Sequence, residues 1–301
     1  MLVEIKKDLS LTPGESVLLD MHSFLNVINI ISGELQILEM LSKRPEAMND
    51  CVNLCFQIKD GLTDPEKILA CARDIESHID YISRKTQALI HESPHLEQEP
   101  DAVEAMENIN SILEILRIRA LEILARYDAP EAWQDHDVQV LSQNFIDVFK
   151  AIEKNSKGKY RFAYNPAVWE PGAYLIMLVI QGNDQGQILM PPVFQDVMRD
   201  LMANARKYTG PGGKILAGAV NDGHFLRFAV EDTGMGIPED EIEQVVDFGF
   251  RASNAGGKRT MGGGFGLTKA YQVTTGFNGR MWIDSAPEKG TRVSISIPVP
   301  E

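Results

Sequence analysis

The sequence predicts a helical N-terminal domain followed by a two-layer α/β sandwich within 301 residues. Three observations predict it. Up to about residue 157 the chain is poor in glycine, and its apolar residues recur at alternating threes and fours. Beyond that point glycines, β-branched runs and turn signals dominate. The length itself corresponds to roughly two domains at about 150 residues each. The expected division is 1–156, helical, and 157–301, α/β.

A first helix should begin after "LTPGES", with a heptad seam through Val17, Met21, Phe24, Ile28, Ile31, Leu35 and Leu38. A second seam runs through Ile68, Ala72, Ile75, Ile79, Ile82, Thr86 and Leu89, and a third through Ala102, Met106, Ile109, Leu113, Leu116, Ala120 and Ile123. Burying each large seam residue is worth about 1.5–3 kcal/mol. A lone helix cannot collect that energy, so these helices pack on one another or on a second copy. Turns are expected at 42–47, 59–66 and 92–101, and a shorter helix over 136–155 leads into the second domain.

In the second half, "GAYLIMLVIQGNDQGQILMPP" (172–192) reads as a β-hairpin and "DLMANARKYT" (200–209) as a helix. A helix should begin near Leu267, after Gly262, Gly263, Gly264 and Gly266. Val293, Ile295 and Ile297 alternate as in a strand with one buried face, preceded by a Lys289-Gly290 turn.

Composition narrows the function. A net charge of -14 argues against nucleic acid and anionic membranes as partners. The longest clean apolar run, "YLIMLVI" (174–180), is far short of the ~20 residues of a membrane span. The start, "MLVEIKKDLSL", lacks a signal-peptide core. Three cysteines fit a reducing compartment and small core positions. The expected location is the cytoplasm.

The chemistry-bearing residues cluster in the second half. On a helix Asp200, Asn204 and Lys207 or Tyr208 share a face, offering hard oxygens for Mg²⁺ and a cation for phosphate. In "VEDTGMGI" Asp232 stands just past a strand end, before Gly234 and Gly236; a buried carboxylate needs a donor, and an exocyclic adenine amine is one. In "MGGGFGLTKA" a glycine loop feeds a helix N-terminus, which aims backbone N–H groups at an anion. No Gly-Lys-Ser/Thr follows, so it is not a P-loop. Taken singly, each is equally a polar helix face, a capped β-turn or a glycine turn.

Together, in this order and spacing, they resemble the nucleotide-binding domain of sensor histidine kinases and the wider Bergerat-fold ATPases, over about residues 157–300. "DLMANARKYT" looks like the asparagine box, "DTGMG" and "GGGFGL" like the two glycine boxes, and "DFGFR" (247–251), through Phe248 and Phe250, like the phenylalanine box. The resemblance implies ATP and Mg²⁺ as ligands. Asn204, helped by Asp200, would hold the metal; Lys207 would touch phosphate; Tyr208 would line the site; Asp232 would accept the adenine amine. Gly234, Gly236, Gly262, Gly264 and Gly266, with Phe265, Leu267 and the closing Thr291, would shape the pocket. Residues 252–262 resemble the lid over ATP, with Lys258 or Arg259 reaching the γ-phosphate.

With that domain downstream, "HSFLN" in the first helix resembles the family's phosphoacceptor box. His22 falls outside the seam and Asn26 lies one turn along the same face. The resemblance implies phosphorylation of His22, and for Asn26 the positioning of water that dephosphorylates a response regulator. It also implies a homodimer formed through a four-helix bundle, and a receiver-domain partner docking near Leu18 and Leu25. The family carries Asp or Glu directly after the histidine; here that residue is Ser23, a poor base. The family's dimerisation module is one helical hairpin, whereas about 110 residues separate the two regions here; proximity favours 64–92 as the helix completing the bundle. The expected function is a soluble, dimeric ATP-dependent histidine kinase. The alternatives are a nucleotide-binding phosphotransferase or regulator phosphatase with weak autokinase activity, and a non-enzymatic scaffold.

Overall fold

The computed structural model describes residues 2–128, 132–156, 158–255 and 263–300. Two compact units emerge, one of Thr12–Ala129 and one of Met1–Leu11 with Pro130–Glu301.

The first unit is helical: α1 (Pro13–Ser42), α2 (Asn49–Gly61), α3 (Pro65–Arg73), α4 (Ile75–Glu92) and α5 (Pro100–Asp128). A capping box starts α1: Thr12 Oγ1 accepts from Glu15 N while Glu15 Oε2 accepts from Thr12 N at 2.8 Å. Lys43, in the left-handed region, ends it. Asp64 caps α3. The second predicted seam is buried throughout, although the helix carrying it breaks at Asp74. In the third seam every residue except the half-buried Met106 is buried. In α1 the stretch from Phe24 to Leu38 forms the core, while Val17 and Met21 are only half-buried.

The long partner of α1 is α5, not the 64–92 segment. Two helices of 30 and 29 residues can run alongside each other, whereas 64–92 is cut into two shorter pieces. Cys51 and Cys55 lie in this core, where burial pushes their thiols to about 11 and about 12. No clean apolar run reaches 20 residues, yet by length and composition alone Gly14–Ser42 is long and apolar enough to cross a membrane. Its polar residues fall between apolar ones, so no uninterrupted run marks it. Phe24, Ile28, Ile31, Leu35 and Leu38 are committed to the helical core.

The second unit is a seven-stranded sheet with helices on one face. Its strands are β1 (Leu2–Glu4), β3 (Phe162–Ala163), β4 (Tyr174–Gln181), β6 (Lys214–Asn221), β7 (Phe225–Asp232), β8 (Arg280–Ser285) and β9 (Thr291–Pro298), in the order β1-β8-β9-β7-β6-β4-β3. The β3–β4 and β4–β6 pairings are parallel and the rest antiparallel. Helices α6 (Val138–Asn155), α7 (Val193–Tyr208) and α8 (Gly266–Gly276) bury Ile215, Leu226, Phe228, Val293, Ile295 and their neighbours. Val179, Leu216 and Phe225 remain exposed on the other face, so the architecture is two-layered, as predicted.

Two boundaries differ from expectation. The units do not divide at 156, because α6 turns Leu141, Phe145 and Phe149 into the sheet's core, and because β1 pairs with β8. Residues 172–192 do not form a hairpin. A turn at Asn183–Gln187 does reverse the chain, but β4 lies parallel between β3 and β6, while β5 (Gln187–Met190) pairs with β2 (Gln134–Asp137). The polar "QDHD" of β2 gave no strand signal.

The Lys289-Gly290 turn has a steric requirement. Gly290 has φ +82°, and a Cβ there would lie 1.8 Å from Asp232 O. Gly290→Ala should therefore cost about 3 kcal/mol or more. Gly276→Ala, with open space at its Cβ, is the control and should be near neutral. Denaturant midpoints of the two variants check this; equal stabilities would refute it.

Candidate nucleotide site and phosphoacceptor histidine

Asp232 ends β7 opposite Ile215 on β6 and Thr291 on β9, a register that turns it toward the helical layer. It is 9% exposed, and its Oδ1 accepts a hydrogen bond from Gly234 N at 2.7 Å. Burial pushes its pKa up to about 6, against the lowering effect of the Gly234 and Thr291 backbone donors. A Cβ at Gly234 would meet Tyr208 O at 2.5 Å, and one at Gly236 (φ +67°) would meet Ala286 O at 1.9 Å. Met235 N donates to Tyr208 O at 3.2 Å. The first glycine loop is thus fastened to the end of α7, which brings Tyr208 beside the Asp232 loop.

Ser285 knits the far side together. Its Oγ accepts from Ile237 N, donates to Gly290 O and lies beside Thr291 Oγ1, each at 2.9 Å. Sequence reasoning missed this residue: a serine at a strand end carries no motif.

The second glycine loop meets the middle of α7. A Cβ at Gly266 would lie 2.6 Å from Asn204 Nδ2, and one at Gly264 (φ +81°) 2.7 Å from Phe250 O. The Phe265 ring packs on Phe248 at 4.7 Å between centroids, and Leu267 borders the core. Thr268 Oγ1 donates to Asp247 O at 3.0 Å, tying the phenylalanine box to this loop. Asp200 lies one turn before Asn204, half-buried, with its Oδ2 3.9 Å from Lys269 Nζ on α8. Lys258, Arg259 and Gly262 lie outside the described residues.

Lys207 is half-buried at the end of α7. Desolvation, then the charges of Arg251 and Arg206, lower its pKa to about 8. Arg251 is a cation that the phenylalanine-box reading had left without a role. A polyphosphate beside these charges would pull the lysine back to its protonated form. Affinity for nucleotide should therefore fall as pH rises through 8, by at most about tenfold per pH unit. Calorimetry at pH 8.5 in two buffers of different ionisation enthalpy should detect proton uptake on binding; none would refute this.

The residues fit a magnesium nucleotide. A buried carboxylate stands ready for a donor, glycines without Cβ let the two loops close against Tyr208 and Asn204, hard oxygens sit at Asp200 and Asn204, and Arg206 and Arg251 add their charges to that of Lys207.

In the helical unit His22 is half-buried, with Phe24 turned into the core beside it. Asn26 Nδ2 lies 3.1 Å from His22 Nε2, as the shared face predicts. The contact joins the carboxamide and the imidazole one helical turn apart. Ser23 is half-buried and supplies no carboxylate.

Known proteins are similar to this chain chiefly over its second half. Residues 191–301 match the family described as histidine kinase-, DNA gyrase B- and HSP90-like ATPase. Sensor histidine kinase WalK of Bacillus subtilis is 33% identical over 107 residues, 35% of this chain and 18% of that protein. Adaptive-response sensory kinase SasA of Crocosphaera subtropica is 31% identical over 137 residues, 45% of this chain and 35% of that protein. Aerobic respiration control sensor protein ArcB of Escherichia coli is 29% identical over 156 residues, 52% of this chain and 18% of that protein. The chain thus spans between 18% and 35% of these relatives' lengths. The asparagine box, both glycine loops and Asp232 all lie inside the matched region, so residues 191–301 are similar to the histidine kinase-, DNA gyrase B- and HSP90-like ATPases, in a chain similar over part of its length to sensor histidine kinases.

Proposed function

We propose that this protein is an ATP-dependent histidine kinase of two-component signalling, and that it phosphorylates itself on His22. Asp232 accepts the adenine amine, and Asn204 with Asp200 holds Mg²⁺. Lys207 and Arg251, with Lys258 or Arg259, take the phosphates. Tyr208, Phe265, Leu267, Thr291 and the loop glycines, Gly262 included, shape the pocket. The single observation that carries this reading is the joint placement of Asp232 against the Tyr208 end of α7 and of Gly266 against Asn204 in the same helix.

The bound metal would neutralise phosphate charge. The His22 lone pair displaces ADP from the γ-phosphorus: an N–P bond forms, the P–O bond to ADP breaks, and its electrons leave on ADP. The second ring nitrogen then gives up its proton. Asn26 must release Nε2 for this attack and then has a carboxamide free to orient water for regulator dephosphorylation. The phosphoryl group passes to an aspartate of a response regulator receiver domain that docks near Leu18 and Leu25. A cytoplasmic homodimer built on α1 completes the reading, with no nucleic acid or membrane partner.

Ser23 favours a second reading. Without a carboxylate after the histidine, proton removal loses a positioned base, a loss of about 10²–10⁴-fold in rate. The protein would then mainly relay phosphoryl groups from, or dephosphorylate, a regulator. Incubation with γ-labelled ATP separates the two: acid-labile label on the wild-type protein supports the kinase. Label appearing only from a phosphorylated regulator supports the relay.

A further inference from the structure

The most deeply buried charges of the α/β unit lie between α7 and α8. Lys269 Nζ, its side chain 3% exposed, donates to Asp196 Oδ2 at 3.1 Å, and Asp196 is 2% exposed. Arg199 Nη2 donates to the other oxygen, Asp196 Oδ1, at 2.5 Å. The same ammonium lies 3.9 Å from Asp200 Oδ2, on a carboxylate 29% exposed. Asp196, Asp200 and Asn204 are spaced by fours and share one stripe of α7. Lys269 is therefore held from below by Asp196 and reaches upward to the acid next to Asn204.

A buried ion pair is weak grounds for stability, since apolar residues of similar volume often do as well. The position of this one has a direct electrostatic consequence. A cation near a carboxylate opposes a second cation on it. On the reading that Asp200 assists Asn204 in holding magnesium, we propose that Lys269 is a positioning residue that competes with the metal for Asp200. It sets the magnesium concentration that nucleotide binding needs. Asp196 anchors the ammonium so that the competition is fixed by the fold, and Arg199 holds Asp196 in orientation.

The test uses Lys269→Met, which removes the ammonium while Asp196 keeps its hydrogen bond from Arg199. Calorimetric titration of Mg²⁺ in the presence of ADP gives the half-saturating concentration. It should fall about tenfold in this variant, as expected for removing one charge a few ångströms away in a water-like dielectric. Metal-free ADP affinity should stay within about twofold. With Asp200→Asn added, the fall should vanish. An unchanged magnesium midpoint, or equal changes with and without metal, overturns the proposal and leaves only a structural pair. Wild-type protein that binds no ADP with or without metal sinks the kinase reading and takes this one with it. A measurement on the wild-type protein stands apart from variant folding. The Lys269 ammonium ¹⁵N resonance should shift on adding magnesium with ADP and stay in place with ADP and a chelator; an identical shift in both overturns the proposal.

Discussion

His22→Gln is expected to abolish acid-labile phosphorylation from γ-labelled ATP while leaving nucleotide affinity unchanged. The imidazole supplies the only nucleophile the proposed reaction uses, and a carboxamide cannot replace its lone pair, so the loss should be complete to the limit of detection. Glutamine can still exchange a hydrogen bond with Asn26, which lies 3.1 Å from the ring in the native protein, so α1 should keep its local geometry. Nucleotide binding is expected to persist because every residue assigned to it belongs to the other compact unit. Persistent label in the variant would move the acceptor elsewhere. Loss of label together with loss of ATP binding would mean that His22 acts on the fold.

Asp232→Asn is expected to weaken nucleotide affinity by about 10–100-fold, the range for losing a hydrogen bond to a charged group. The same change should stabilise the ligand-free protein at neutral pH. The ordinary aspartate value is 3.8, and burial raises it in the fold to about 6. The folded chain therefore holds this proton more tightly than the unfolded chain. Stability falls as pH rises from about 4 to about 6, and the penalty is fully present above 6. Removing the charge should recover at most about 3 kcal/mol at pH 7–8, with the gain fading toward pH 4. The amide oxygen can still accept from Gly234, while the amide N–H₂ meets the Thr291 backbone donor, which reduces the gain below that ceiling. Melting curves at pH 4 and pH 7.5 beside an ATP titration check both halves; unchanged affinity, or a variant less stable at pH 7.5, would contradict the assignment.

Much of this was legible because periodicity reports burial directly. The Ile68-to-Leu89 seam is buried at every position, since helical spacing decides which side chains leave water. The same pattern does not say which helices adjoin. The preference for 64–92 over α5 rested on nearness in sequence, and helix length decided otherwise. The glycine motifs were readable because chain approaches as close as Gly236 to Ala286 exclude every other residue. The Lys269–Asp196 pair was not, because a lysine in "GLTKA" and an aspartate in "FQDVM" look like ordinary surface residues until α7 and α8 are placed together. Likewise β2 is a strand only because β5 lies beside it.

The three residues of β1 lie on one side of the helical unit in sequence and their partner strand β8 on the other. The α/β unit is thus built from both flanks of an insertion, and its outermost strand comes from the first flank. A protease nicking the chain near residue 130 would leave two fragments still held by that strand and by Ile5 in the shared core. Gel filtration of nicked protein should return a single peak, and trimming the first eleven residues should uncover the β8 margin as a site for self-association.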